Sequence, residues 1–503
     1  MVRFVVPSTR APPAMRRSPL AAVVGLACAL AAGRPAAAQS IPPEEYQARR
    51  DSLAAHLDSG VVVAFGAREP VALWTAYRPL PAFRYLTSFH EPDAVLVMVK
   101  RGGVTRTSVF VDIPDVRYQL YVGIPADSAT VARETGLARR HMRELRPALD
   151  SLAAAGLPFY TLRDFASGDA AGRDTVTLGA RFMQGFAAAH PALVVRDAHP
   201  IVDRLRARKS PRELALLKRA IDATGAAHAA ALRAVRPNAN ERQVQATVES
   251  AFLQAGAEGP SFASIIGSGP NSTTLHYMRN DRVMRDGEVV VMDIGASYEG
   301  YAADVTRTVP VNGRYTPEQR AVYQIVRDAQ KAAETTAKPG AKWAAVQEAA
   351  DSVIARGLAR LGLIESADAM FDAPWGGQCT ARSRLCRQFA LFMPHGLGHG
   401  IGIEVHDPAQ YYMDDQTLRE GDAFTIEPGI YVNPEVLRLI PDTPRNRAML
   451  AKIRAVVDRY KHVGVRIEDD YAVTKQGVEW LSRAPREASE IEAAMARARP
   501  VVP

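Results

Sequence analysis

Two aspartates lie close together in a segment whose other residues favour β-strands. Residues 288–309 predict two strands joined by a turn near Tyr298 and Glu299, and folding about that turn would place Asp293 opposite Asp304. Strand interiors disfavour aspartate, and like charges that face each other across a β-ladder repel. A cation between the two carboxylates would remove that repulsion. The alternative is that one aspartate makes the turn and the other pairs with Arg307.

Three histidines fall within twelve positions of a glycine-rich segment. His395, His399 and His406 alternate there with four glycines, which argue against a regular helix and for backbone held close to another group. The chain has only 11 histidines. Three in one short segment therefore indicate a ligand or acid–base cluster, although a lone histidine is more often an ordinary core or surface residue.

Two glutamates lie at the ends of apolar, strand-like segments. Glu427 follows Phe424-Thr-Ile and precedes Pro-Gly. In residues 464–468, Arg466 and Glu468 share one strand face, and Val465 and Ile467 share the other. Either glutamate alone is more often a solvated strand residue.

Taken together, these residues supply one imidazole and four carboxylates: His399, Asp293, Asp304, Glu427 and Glu468. Such a hard, oxygen-rich set suits two divalent ions bridged by carboxylates. Manganese fits this set best, and cobalt, iron and zinc are the alternatives. Two such ions would hold a hydroxide between them and polarise a carbonyl, which is metal-assisted hydrolysis.

The elements that must position these residues fall into two regions. Residues 39–205 alternate short β-rich runs with helical patterns, which predicts an α/β domain. Its predicted strands are 61–65, 94–99, 108–111 and 192–195, and its predicted helices include 141–155. Residues 210–500 combine predicted helices at 212–235, 241–255, 317–336 and 342–361 with glycine-punctuated strands, an α+β pattern. The first of these helices begins with a capping box, Ser210-Pro-Arg-Glu213.

Composition limits the class of protein. At 503 residues the chain can hold two or three domains, and 47% hydrophobic with 23% charged residues is a globular composition. Disordered, collagen-like and multispan membrane proteins are excluded. Five units of the net charge of +8 come from arginines before residue 39. The rest of the chain has 57 basic residues (62 less five) and 54 acidic residues. These remaining basic residues are scattered along the sequence, which argues against nucleic-acid binding.

The amino terminus has the pattern of an export signal. Arg16 and Arg17 precede the apolar run Leu20–Ala32, and Ala36-Ala-Ala38 provides a cleavage site. We expect residues 1–38 to be a signal peptide and the mature chain to be periplasmic or secreted, with translation starting at Met1 or Met15. No later stretch reaches the ~20 apolar residues of a membrane span.

Two cysteines remain after the signal peptide is removed with Cys28. Cys379 and Cys386 lie in a polar, glycine-containing segment. In an oxidising compartment they can form a disulfide. A nucleophilic cysteine is the alternative, but no matching motif surrounds either residue.

In order and spacing the five ligand candidates resemble those of the pita-bread metallopeptidases, and specifically the aminopeptidase P family. Residues 83–93, 267–277 and 490–493 resemble that family as well. The resemblance implies an α+β fold, with a C-terminal pita-bread catalytic domain preceded by a smaller α/β creatinase-like N-terminal domain. The long stretch between Glu427 and Glu468, including a helix-like segment at 445–460, departs from the family pattern.

The resemblance also implies a role for each residue. Asp293 would bind one ion, Asp304 and Glu468 would bridge both, and His399 and Glu427 would complete the second ion's shell. Glu427 would also act as the base. His276, His395 and His406 would line the site and steady the substrate, and Arg466 would orient the ligands.

The expected activity is release of the first residue from peptides with proline in second position. Prolidase, which cleaves only Xaa-Pro dipeptides, shares the ligands and is the alternative; residues 91–97 look closer to aminopeptidase P. A metal-free binding protein on the same fold is a third interpretation, against which all five ligands argue. We also expect a homo-oligomer, a dimer or a tetramer.

Overall fold

The structure, a computed structural model, describes residues 40–68, 77–162, 164, 177–375, 379–380, 383–409, 413 and 415–498. The predicted signal peptide lies outside these residues. From Ser40 onward the chain belongs to one compact unit. Among the described residues, no helix combines the length and the apolar character that crossing a membrane requires.

A six-stranded mixed sheet forms the centre of the N-terminal region. Its strands are β1 Gly60–Phe65, β2 Val95–Arg101, β3 Val104–Val111, β4 Ala138–His141, β5 Phe159–Thr161 and β6 Val195–Asp197, in the order β4-β3-β2-β1-β5-β6. The helices are α1 Pro43–Ala55, α2 Pro81–Thr87, α3 Val116–Val122, α4 Ser128–Thr135, α5 Leu145–Ala154, α6 Leu178–Ala189 and α7 His199–Ala207. Alternate residues of β1 pack into two hydrophobic clusters, one on each face, which explains its unbroken apolar sequence.

Two predictions for this region were wrong in detail. The predicted helix at 141–155 begins only at Leu145, because residues 138–141 pair with β3 as a parallel edge strand. The predicted strand at 192–195 pairs with β5 only from Val195 onward. Both errors concern edge strands, whose pairing partners are distant in sequence.

The C-terminal region combines long helices with several small sheets. The helices are α8 Pro211–Ala234, α9 Glu241–Gln254, α10 Pro317–Thr336, α11 Trp343–Leu361, α12 Pro444–Tyr460 and α13 Ala488–Ala498. The strands are β7 Gly259–Pro260, β8 Ile265–Ser268, β9 Val289–Ile294, β10 Ala296–Tyr298, β11 Tyr301–Ala302, β12 Val305–Pro310, β13 Ala423–Ile426, β14 Gly429–Tyr431, β15 Gly464–Arg466, β16 Asp469–Thr474 and β17 Gly477–Trp480. Their sheets are β11-β10-β7, β12-β9-β8, β13-β16-β17 and β14-β15.

The helix predictions for this region are confirmed within one residue at each end. Ser210 and Glu213 form the predicted capping box at the start of α8. Glu213 also accepts a hydrogen bond from Tyr301 Oη at 3.0 Å and lies 3.4 Å from Arg49, a residue of α1. The cap therefore also connects α8 to the N-terminal region.

The hairpin that carries the two aspartates has a different register from the one predicted. Tyr298 pairs with Tyr301, so the turn lies at Glu299-Gly300, and Asp293 pairs with Thr306 rather than with Asp304. The shift is two residues, and because side chains alternate with period two, both carboxylates remain on the same face.

A buried histidine joins α8 to this hairpin. His228 Nε2–H donates to the carbonyl of Val305 at 2.9 Å, next to Asp304, and burial lowers the pKa of His228 to about 4. The neutral imidazole is therefore the form that the fold accommodates.

This histidine predicts a pH dependence of stability. Because the pKa is lower in the folded chain than the ordinary 6.5, the unfolded state binds the proton first as pH falls. Stability contributed by neutral His228 should be complete above pH 6.5 and be lost between pH 6.5 and about 4. Denaturant unfolding of His228→Gln and the parent chain at pH 7 and pH 5 checks this: the loss on acidification should be smaller in the variant, and equal losses would contradict it.

Candidate active site

All nine predicted metal-binding and catalytic residues line one cavity of about 740 Å³: Asp293, Asp304, His399, Glu427, Glu468, His276, His395, His406 and Arg466. The N-terminal region contributes Ala82, His199, Asp203 and Arg206 to the same cavity. The site therefore lies where the two regions meet.

Strand ends position the acidic side chains. Asp293 lies near the end of β9, Asp304 directly precedes β12, Glu427 directly follows β13, and Glu468 separates β15 from β16. The backbone of Glu468 pairs with that of Thr306, with N–O distances of 3.1 and 3.3 Å. Segments far apart in sequence are thereby brought side by side.

A glycine-rich segment brings His399 against β13. The amide of Thr425 donates to the carbonyl of His399 at 2.9 Å, and the amide of His399 donates to Thr425 Oγ1 at 3.1 Å. A Cβ at position 398 would overlap the carbonyl of Thr425, so only glycine allows this approach.

Three of the other predicted ligands surround the His399 imidazole. Nε2 of His399 lies 3.6 Å from Asp304 Oδ2, 3.4 Å from Glu427 Oε1 and 3.8 Å from Glu468 Oε1. Ligand atoms of Asp304, His399 and Glu468 all lie within 4.8 Å of one another. The fifth predicted ligand, Asp293, lies in the same cavity and faces Arg466.

The carboxylates strongly disfavour being charged together. Burial, followed by the charges of Glu468 and Asp293, raises the pKa of Asp304 well above its usual range. Burial with the charges of Glu427 and Asp293 does the same to the pKa of Glu468, and burial raises the pKa of Glu427 to about 7. Without a further cation this group cannot be fully ionised near neutral pH.

Arg466 supplies part of the compensating charge. Its guanidinium bonds to Asp293 Oδ2 and donates to Tyr431 Oη at 2.9 Å. Although burial acts in the opposite direction, the charge of Arg466 holds the pKa of Asp293 below its usual range. One guanidinium against four carboxylates leaves a deficit of positive charge.

The donor set fits divalent metal ions. Asp293 Oδ1, Asp304 Oδ1 and Glu468 Oε1 are buried and find no hydrogen-bond partner within the described parts of the chain. Burial lowers the pKa of His399 to about 3, and its Nδ1–H donates to Gly400 O at 3.0 Å, so unprotonated Nε2 faces the carboxylates. Unpaired buried oxygens beside a neutral imidazole nitrogen are what a cation between them would coordinate.

The other predicted histidines take different places around the cavity. His395 is neutral, because burial and Arg466 lower its pKa to about 3, and its Nε2 accepts from Tyr431 Oη at 3.0 Å. The rings of His406 and His399 lie 4.1 Å apart, and His276 is exposed at the cavity wall.

Several contributing residues were not predicted from the sequence. Thr306 Oγ1 donates to Glu468 Oε2 at 2.7 Å, and Tyr431 connects Arg466 to His395. Both follow a ligand by a few positions, which is the signal that could have identified them. Arg307, the suggested partner of an aspartate of the hairpin, instead pairs with Asp469 at 2.6 Å.

Cys379 and Cys386 form a disulfide in the structure. It closes a short loop ahead of the glycine-rich histidine segment. No ionisable or nucleophilic cysteine is then present among the described residues.

Comparison with known proteins identifies the family. The model for metallopeptidase family M24 matches residues 215–475, and that for the aminopeptidase P N-terminal domain matches residues 46–156. The chain belongs to metallopeptidase family M24. It is therefore a hydrolase that depends on divalent metal ions, as the chemistry of the donor set indicates.

Similarity to individual relatives extends over nearly the whole chain. The Xaa-Pro aminopeptidase of Escherichia coli is 31% identical over 473 residues, covering 91% of this chain and 99% of that protein. The Xaa-Pro dipeptidase of Homo sapiens is 34% identical over 319 residues, covering 59% of this chain and 62% of that protein. A putative aminopeptidase P structure from Bacillus anthracis matches with a TM-score of 0.77 at 25% identity, covering 92% of this chain and all of that one. These matches confirm the predicted two-domain M24 fold, with its pita-bread C-terminal domain.

The charge deficit predicts how metal affects stability. Mn(II) should raise the melting temperature of the metal-free chain, since a ligand at 1,000 times its Kd stabilises by about 4 kcal/mol. Asp304→Asn and Glu468→Gln should abolish this rise and the peptidase activity, while in the absence of metal they unfold no earlier than the parent, because each removes a repelling charge. Thermal scans with elemental analysis check this, with the exposed Asp442→Asn as control. Two ions retained by Asp304→Asn would contradict the assignment.

Proposed function

We propose that this chain is an Xaa-Pro aminopeptidase, which hydrolyses the bond between the first residue of a peptide and a proline in second position. The observation that carries the proposal is the buried cluster of Asp304, His399, Glu427 and Glu468 in a cavity walled by both regions. The near full-length similarity to Xaa-Pro aminopeptidases supports it.

Two divalent ions, which we propose to be Mn(II), would be held by Asp293, Asp304, His399, Glu427 and Glu468. Carboxylate-rich sets of this kind suit manganese, with cobalt, iron and zinc as alternatives. When bound, the ions would supply polarisation of the scissile carbonyl and an activated water at neutral pH.

The protein's own groups would manage the proton and the substrate. Glu427 is placed to accept the proton of the attacking water, since its Oε2 lies 3.9 Å from His395 and its Oε1 lies 3.4 Å from His399. His395 is held by Tyr431, which Arg466 holds in turn. These contacts would keep the imidazole at a defined distance from the developing charge on the carbonyl oxygen.

Proline gives a reason for a dedicated enzyme. An Xaa-Pro bond is a tertiary amide without an N–H, and its ring fixes φ, so sites that bind the N–H of an ordinary peptide bond handle it poorly. Polarisation of the carbonyl does not need that N–H.

Space beside the site favours substrates longer than dipeptides. A second cavity of about 560 Å³ shares His276, His406, Asp293 and Asp304 with the first and continues past the N-terminal region. A dipeptide needs no such extension. Coverage supports the same choice, because the human Xaa-Pro dipeptidase matches a much smaller share of this chain than the Escherichia coli aminopeptidase does.

Substrate length is the decisive test. With Mn(II), we expect release of the first residue from Xaa-Pro-Xaa tripeptides and longer peptides, slower cleavage of Xaa-Pro dipeptides and almost none of Xaa-Ala controls. A site that pairs a charged group often discriminates by ~10⁴-fold against substrates lacking it, so kcat/KM over the set should separate the alternatives. Cleavage of dipeptides alone would make the chain a prolidase, and no cleavage of any peptide would favour a binding protein.

We also propose export, with cleavage after Ala38. The supporting observations are the charged and apolar pattern of residues 16–38 and the disulfide between Cys379 and Cys386, which suits an oxidising compartment. Amino-terminal sequencing of the native protein should return Gln39. A sequence beginning at Met1 or Met15 would refute this proposal.

Self-association into a dimer or tetramer completes the proposal. Helix α3 supports it, because none of its residues is buried and it exposes Val116, Leu120 and Tyr121 by 77%, 83% and 76%. An apolar helix this exposed on a soluble domain is typical of a contact surface.

A further inference from the structure

The peptide unit of Leu397, between His395 and His399, is held on both sides. Its amide donates to Gln347 Oε1 at 2.9 Å, and its carbonyl accepts from the amide of Glu427 at 2.8 Å. The first bond comes from helix α11, outside the metal cluster, and the second leads directly to a ligand backbone. Gln347 thus contacts the site only through the main chain that carries its histidines.

Gln347 is itself held by a partly buried ion pair. Its Nε2 donates to Asp351 Oδ1 at 2.9 Å, one turn further along α11. Arg384 binds both oxygens of Asp351, at 2.7 and 3.0 Å. The carboxylate of Asp351 is only 2% exposed and the side chain of Arg384 is 24% exposed, and the two parallel bonds fix the orientation of the carboxylate. With Asp351 accepting, the Gln347 amide has one orientation, in which its oxygen faces Leu397.

The disulfide closes the loop from which Arg384 projects. Arg384 lies two residues before Cys386, in a short 3₁₀ turn, and Cys386 is bonded to Cys379. The carbonyl of Cys386 also accepts from the amide of Phe371 at 3.0 Å. The cross-link and this bond restrict the backbone on which Arg384 depends.

We propose that Gln347, Asp351 and Arg384 are positioning residues for His395 and Glu427, and that the Cys379–Cys386 disulfide maintains them, so that reduction lowers the rate of catalysis. We call these three residues and the disulfide the relay. The activity tests of the relay rest on the proposed function. None of its members lines the cavity, and its hydrogen-bond contact with the site is made to the backbone of Leu397.

The size of the effect follows from what one bond contributes. A buried hydrogen bond contributes about 1 kcal/mol, which corresponds to roughly a fivefold change in a rate constant. A displaced main chain should lower kcat by at least that factor, because catalysis is sensitive to small errors in placement. KM should change by less than about twofold, since no relay residue contacts the substrate cavity.

The experiment compares variants of the full-length, Mn(II)-loaded chain on one Xaa-Pro-Xaa tripeptide. Gln347→Met keeps the shape but loses the bond, and should lower kcat by about fivefold or more with unchanged metal content. Arg384→Lys and a Cys379→Ser/Cys386→Ser double variant should lower kcat in the same direction by a smaller factor. Reduced parent chain should match the double variant and recover on reoxidation. Arg387→Ala is the matched control, because Arg387 leaves the same turn and reaches Glu348 of the same helix at 3.5 Å without joining the relay.

Hydrogen–deuterium exchange of the peptide spanning residues 395–399 provides a readout independent of activity. Exchange should be faster in Gln347→Met, in Arg384→Lys and after reduction, and unchanged in Arg387→Ala. Parental kcat or parental exchange in Gln347→Met would overturn the relay, and parental behaviour of the reduced chain would overturn the role of the disulfide. If Gln347→Met does not fold, kcat and exchange in Arg384→Lys and in the reduced chain test the relay instead, and parental values in both would overturn it. If the parent chain cleaves no proline peptide, the proposed function fails, and the exchange data still decide whether the relay holds this segment.

Discussion

The mutual repulsion of buried carboxylates is the constraint on which this structure depends. Asp293, Asp304, Glu427 and Glu468 converge on one cavity, where the guanidinium of Arg466 contacts Asp293 while that of Arg206 is paired with Glu404 and Asp407. In a low-dielectric interior such a group is costly unless cations join it or protons neutralise it. The raised pKa values of Asp304 and Glu468 result from this unfavourable burial of like charges. Divalent ions would relieve the repulsion, which would favour their binding.

Much of the surrounding chain keeps these acids from moving apart. Arg307, which is 2% exposed, donates to the carbonyl of Glu468 and pairs with Asp469, and so fixes the backbone beside a predicted ligand. Gln330 of helix α10 donates to Asp469 and to the carbonyls of Ile426 and Ile467, which neighbour Glu427 and Glu468. The proposed relay would act in the same way on the histidine segment. Rigid support of this kind is what a metal site requires.

The N-terminal region contributes to the site as well as covering it. Arg206 of helix α7 bonds to Glu404 at 2.5 Å and to Asp407 at 2.6 Å, and both of these acids line the main cavity with it. Lys209 lies 2.9 Å from the other oxygen of Asp407. Because these pairs are buried, they hold the segment on both sides of His406 against the N-terminal region and thereby set the shape of the cavity.

The sequence by itself determined the chemistry and the regular elements. The residue types and order of the five predicted ligands and the histidine-glycine segment are local patterns, and so are the capping box at Ser210 and the helical periods of α8 to α11. Only the tertiary structure decided the two-residue register shift that pairs Asp293 with Thr306, the partners of Arg307 and Arg466, and the contact of Gln347 with Leu397. Apart from the register, which is set within one hairpin, each of these joins residues at least 50 positions apart in the chain. Local spacing carries no information about such partners, because they are selected by packing and by the neutralisation of buried charge.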